Sequence, residues 1–170
     1  MKKSDLKFMP KFFDRYINLV PDEETLFEGF ENSLNEVLVL KEVFETHENY
    51  RYEEGKWTPK ELLLHIIDTE RILSYRALVY ARNDKNILPG FDENLYAENA
   101  NVDDRTITDL LEELVAIRKS SLFLFKNLSK RALHREGVCF EVKMNVLALG
   151  FVIVGHPRHH LNILQERYFV

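Results

Sequence analysis

Six residues near the C-terminal end, Gly155-His156-Pro157-Arg158-His159-His160, hold three of the chain's six histidines. On a helix His156 and His160 stand four apart, on one face and one turn above the other. Two imidazoles so spaced can converge on a divalent metal, which needs at least one more ligand. His65, in Leu64-His65-Ile66-Ile67-Asp68, is the upstream candidate. At about 100° per residue, His160 falls about 40° from His156, within a stripe of Leu149, Val152, Ile153 and Ile163. His159 sits on the shoulder of that stripe and is expected to turn toward solvent or a helix boundary. Around His65 the same projection gathers Leu62, Thr69, Ile72, Arg76 and Val79, so this ring also faces an interior.

Three neutral imidazoles leave at least one coordination position for water or substrate, and the donor set suits zinc, nickel or ferrous iron. Such an ion would lower the pKa of a water or thiol and act as a Lewis acid. A single interior histidine is more often an ordinary hydrogen-bonded core residue. A pair on one apolar stripe shifts the balance, because each buried ring would otherwise need its own partner. Asp68 is a candidate to orient the rings from behind. His47 and His134 fall in polar connections and are expected to be solvated.

Other residues could serve the same centre. Arg76 lies on the His65 stripe and could hold a substrate carboxylate or a thiol cosubstrate, or form an ion pair with Glu112 or Glu113. Asp92 and Glu93 could cover the mouth of the site and supply a base. Trp57 reads as a packing anchor, and Cys139 as a packed thiol with no adjacent cation to activate it. Pro157 cannot donate to the carbonyl of Ile153, so a kink or a helix restart is expected between the two paired histidines.

These side chains need long helices, and the chain favours them, with six Gly and five Pro in 170 residues. Leu26, Phe30, Leu34, Val37, Leu38 and Phe44 recur at three- and four-residue intervals, which predicts one amphipathic helix of about six turns. Thr46 to Lys56 forms a connection. Thr58-Pro59-Lys60-Glu61 combines an N-cap hydroxyl, a first-turn proline and a capping glutamate, opening a helix to about Arg82. Residues 83–101 read as a long loop. A helix from Thr106 runs to about Leu128, and Val138 to Met144 is extended. A last helix spans Asn145 to Tyr168. Its reverse face, Leu147, Phe151, Val154 and Leu161, is also apolar, so the N-terminal segment or, by preference, a second subunit should cover it. The expected architecture is an all-α four-helix bundle, one domain over residues 1–170, with a short helix within 6–19.

A formal net charge of −5 argues against nucleic acid as a partner. No apolar run is long enough to span a membrane, no signal peptide is visible, and a lone cysteine fits a reducing compartment, so a cytoplasmic protein is expected.

Lys56-Trp57-Thr58-Pro59-Lys60-Glu61, followed by His65-Ile66-Ile67-Asp68-Thr69-Glu70-Arg71, resembles the second-helix signature of the DinB/YfiT-like superfamily. Gly90-Phe91-Asp92-Glu93-Asn94, Arg118 and Gly155-His156 through His160-Leu161 follow in matching order, so the resemblance spans residues 24–168. It implies an up-down-down-up bundle, often dimeric, with a divalent metal, typically nickel or zinc, held by His65, His156 and His160. Relatives include thiol S-transferases that use low-molecular-weight thiols such as bacillithiol, a mycothiol-dependent maleylpyruvate isomerase, and many proteins labelled metal-dependent hydrolases. The expectation is thus a small-molecule enzyme, thiol S-transferase-like first and hydrolase second. The competing possibility is a non-enzymatic dimeric bundle with a vestigial metal site.

Overall fold

The computed structural model describes residues 1–169. After a short 3-10 turn at Lys3–Asp5, the helices are α1 (Asp14–Ile17), α2 (Leu26–Leu38), α3 (Lys41–His47), α4 (Pro59–Ala81), α5 (Glu93–Asn99), α6 (Ile107–Lys126), α7 (Lys130–Leu133) and α8 (Val146–Arg167). Between α7 and α8 a hairpin pairs β1 (Glu136–Cys139) with β2 (Val142–Asn145), antiparallel, with Glu136 opposite Asn145. The long helices begin where their capping chemistry lies. Thr58 Oγ1 accepts from the Glu61 amide at 3.2 Å while the Glu61 carboxylate accepts from the Thr58 amide. Thr25 with Glu28, and Thr106 with Asp109, repeat the arrangement for α2 and α6.

α4 packs on α6 and α8, and α2 packs on the same two helices, so the order around the bundle is α2, α6, α4, α8. The connection from α4 to α6 crosses the end of the bundle, giving the up-down-down-up four-helix topology. One apolar cluster joins Phe13, Ile17, Phe30, Leu73 and Phe125 to α8 as far as Val154. The other joins Val37, Phe44, Ile66 and Leu114 to Leu161 and Leu164. Between them every bundle helix carries buried polar residues: Ser33 on α2, Thr69 and Glu70 on α4, Arg118 and Ser121 on α6, His156 and His160 on α8. A polar layer therefore crosses the middle of the core.

Arg118 and Glu70 bind that layer together. Only 1% and 2% of their side chains are exposed. Arg118 Nε and Nη2 donate to the Glu70 carboxylate at 2.9–3.1 Å, and Nη1 donates to the Phe30 carbonyl and Ser33 Oγ, both at 2.7 Å. One guanidinium thus fastens α6 to both of its neighbours, with its charge neutralised and most of its donors used.

Several expectations need correction. The single helix through Phe44 is two, broken at Val39 and Leu40, whose amides close short turns to Asn35 and Val37. Val39 is left exposed while Phe44 enters the core, so burial of one aromatic outweighs continuation of the helical ladder. The loop between residues 83 and 101 contains α5, and the N-terminal helix shrinks to the single turn of α1. Pro157 lies within α8, which is continuous across it. The reverse face of α8 is covered by the chain itself: Leu147, Phe151 and Val154 are buried in one cluster with Phe13, Ile17 and Val20. The surface that suggested a second subunit is accordingly interior. No described helix is long and apolar enough to cross a membrane.

Candidate metal centre

The three histidines meet. His65 Nε2 lies 3.1 Å from His156 Nε2, and His160 Nε2 lies 3.0 Å from it. One donor atom from each ring falls within 4.8 Å of the others, and among the described residues this is the one such group of three potential ligands found. α4 supplies His65 from the turn before the polar layer, and α8 supplies the other two. Because α8 does not break at Pro157, the i,i+4 pair keeps its convergence.

Burial sets the chemistry. It pushes His65 down to about 4, with nearby His159 adding to the effect. It holds His156 and His160 well below the ordinary histidine value, with the neighbouring imidazoles acting in the same direction. Three neutral rings thus crowd their Nε2 atoms into one spot. The single in-plane site of His156 Nε2 cannot satisfy both neighbours by hydrogen bonding, whichever tautomer each ring adopts. His160 Nδ1 is also buried without a partner. A cation accepting all three lone pairs resolves the conflict, so this donor set fits a divalent metal.

The rings form one wall of a cavity of about 410 Å³. Tyr16, in α1, meets His156 and His159 edge-on, each at 5.3 Å between ring centres. Trp57 lies 4.8 Å from His65. Gly155 allows the approach of α1: a Cβ there would sit 1.9 Å from the Tyr16 carbonyl oxygen. At the rim stands Phe140, at the two-residue tip of the hairpin, where it and Glu141 both have positive φ (48° and 61°). Gly90 makes room for that ring, since a Cβ at 90 would fall 2.4 Å from it.

The remaining candidates are dispersed. Arg76 lines the cavity and has none of the acidic partners expected: Glu113 is engaged by Arg71 and Arg105, and Arg76 Nη2 donates to the Pro89 carbonyl at 2.8 Å. Asp92 caps α5, its Oδ1 accepting from the Asn94 and Leu95 amides at 3.0 and 3.1 Å, and its neighbour Glu93 reaches the cavity wall instead. Asp68 is occupied by Arg71 at 3.1 Å, with no hydrogen bond to His65 among the described residues. His159 lines the cavity, half-buried, rather than turning away. His47 and His134 are half-buried, not solvated: His47 Nδ1 lies 2.9 Å from the Val43 carbonyl oxygen, and His134 Nδ1 is enclosed without a partner. Trp57 belongs to the cavity wall, and Cys139 is buried as expected.

Sequence reasoning missed Phe12, Phe13, Tyr16 and Phe140 as cavity residues. Their spacing relative to the histidines carries no signal. Gly155, a glycine inside an apolar helix and next to a ligand candidate, was the one local clue that another backbone lies close.

No curated protein matches the sequence. Among solved structures the chain is similar to YfiT from Bacillus subtilis, described as "a probable metal-dependent hydrolase with an unusual four-helix bundle topology". The TM-score is 0.67 at 16% identity, over 98% of this chain and 89% of that one. A family model described as DinB superfamily matches residues 13–164. With that match covering nearly its whole length, the chain belongs to the DinB superfamily.

Proposed function

We propose that the protein is a divalent-metal-dependent enzyme acting on small molecules, with nickel or zinc held by His65, His156 and His160. The observation that carries this is the convergence of three neutral Nε2 atoms, from buried His156 and His160 and half-buried His65, on the wall of a substrate-sized cavity. The description of YfiT as "a probable metal-dependent hydrolase" supports it. When bound, the ion supplies Lewis acidity and lowers the pKa of a thiol or water on its cavity side.

The chain's own residues do the rest. Burial keeps the imidazoles unprotonated, so no proton competes for their lone pairs. Tyr16 and Trp57 restrain the planes of His156 and His65 and keep bulk water from their flanks. His159 and Glu93, both on the cavity wall and outside the ligand set, are placed to take up a proton.

Transfer of a thiol such as a low-molecular-weight thiol cosubstrate is the first reaction we infer. A thiol needs only its pKa lowered, and the sole carboxylate on the cavity wall among the described residues is exposed Glu93. Hydrolysis is the second, favoured by the YfiT likeness. Metal analysis of protein purified without an affinity tag should find about one ion per chain, lost in His160→Ala. Metal-loaded protein should consume thiol when given an electrophile. Failure to bind metal in the wild type, or equal uptake in His160→Ala, would sink the reading. Cleavage of esters or amides without thiol consumption would put hydrolysis first.

A further inference from the structure

Among the described residues, Arg76 is the one buried arginine whose charge is left unanswered. Only 4% of it is exposed. The other buried arginine, Arg118, has Glu70, and half-buried Arg158 has Glu24 and Glu36. Among the described residues no carboxylate lies within ion-pairing distance of Arg76, and one of its five donors is used, on the Pro89 carbonyl. Its guanidinium borders the cavity. A buried cation without a counter-charge is costly, and proteins rarely keep one unless something else supplies the anion.

The surroundings say what that anion is attached to. His65, Thr69, Leu73 and Arg76 form a single stripe of α4 along the cavity. Thr69 Oγ1 is also buried with no hydrogen-bond partner. From His65 to Arg76 the helix rises about 16 Å, so the two residues stand well apart along the cavity. The space between is walled by Phe13, Leu73, Phe91 and Phe140. Glu93 does not neutralise Arg76, because it stands at the opposite end, sharing a small crevice with His65 and Asp68.

We propose that Arg76 is the anchor for a carboxylate carried by the substrate. The body of that substrate is apolar or aromatic and lies along Leu73 and the phenylalanines. Its reacting group reaches the histidines, and the Thr69 hydroxyl meets a polar atom partway. The proposal names the substrate class of the cavity already read as the active site, and it rests on that reading.

The test uses 4-phenylbutyrate and its neutral isostere 4-phenylbutyramide, titrated by calorimetry into metal-loaded wild type, Arg76→Met and Arg76→Lys, and into His160→Ala without metal. Circular dichroism confirms that each variant is folded. The wild type should prefer the acid by about 10-fold to 100-fold, as hydrogen bonds to a charged group warrant. Arg76→Met should bind acid and amide alike, and Arg76→Lys should keep part of the preference. His160→Ala should keep all of it. That last arm separates the two claims: a carboxylate preference that survives loss of the metal supports the anchor even where the metal reading fails. Preference lost in His160→Ala and kept in Arg76→Met would show the acid sitting on the metal, and the proposal would fall. Equal binding of acid and amide by the wild type, or no binding of either, would overturn it as well. Should Arg76→Met not fold, undiminished preference in Arg76→Lys together with loss in His160→Ala overturns it in the same way.

Discussion

The pair Arg118–Glu70 should behave as one unit whose halves are worth less alone than together. Glu70→Leu leaves a guanidinium enclosed in the bundle with only the Phe30 carbonyl and Ser33 Oγ as partners. Arg118→Met leaves a carboxylate with no donor at all, since its hydrogen bonds in the bundle come from Arg118. Breaking a buried pair from one side typically costs about 3–5 kcal/mol, so the two single costs sum to about 6–10 kcal/mol. The double variant Glu70→Leu/Arg118→Met removes both charges and keeps similar volume. It strands only neutral acceptors, one of them a helical carbonyl, so its cost should be about 1–3 kcal/mol. The double variant is therefore expected to be more stable than either single one, with a coupling of about 3–9 kcal/mol. Urea unfolding of the four proteins, followed by circular dichroism with slopes compared, measures this cycle directly. Costs that simply add, or a double variant less stable than both singles, would refute the view that mutual charge compensation holds the polar layer together.

Three further outcomes follow from the geometry. Gly155→Ala should destabilise by about 1–3 kcal/mol although alanine is the better helix former, because the clash is with the Tyr16 backbone and no rotamer relieves it; an unchanged urea midpoint contradicts this. In metal-free protein kept with chelator, stability should decline as pH falls from about 6.5, where unfolded histidines begin to bind protons, toward the value of about 4 at which His65 does so in the fold. Burial depresses the folded-state values, so the unfolded chain binds more protons throughout that window; a flat profile there argues against neutral imidazoles. Zinc or nickel at 100 times its dissociation constant should stabilise the wild type by about 2.7 kcal/mol and leave His65→Ala unmoved, which a thermal melt with and without metal decides.

What could be read from the sequence was whatever depends on neighbours in the chain. Thr58-Pro59-Lys60-Glu61 and Thr106 with Asp109 specify helix starts through contacts within one turn, and α4 and α6 begin there. The pairing of His156 with His160 follows from helical spacing alone, and His65 was found because its stripe is apolar. Less was legible where distant parts decide. Nothing local marks the break at Val39 and Leu40; Phe44 finds its place only when α4 and α6 are present. Arg76 could be placed on the right face, but its lack of an acidic partner depends on Glu113 being held by Arg71 and Arg105. The aromatic wall from Phe12 to Tyr16 comes from a segment more than a hundred residues from the paired histidines it covers, and hairpin geometry alone brings Phe140 to the rim.

The position of α8 also bears on how the protein is made. This last helix lies against α1, α2 and α4, and His65 waits 91 residues for the partner it meets at 3.1 Å. Before α8 has been made, α6 can already pair with α2 and α4, but two of the three histidines and one side of the cavity are missing. Neither the cavity nor the metal centre exists at that stage. The ion can therefore be acquired only after α8 has docked, as a late event in the assembly of the bundle.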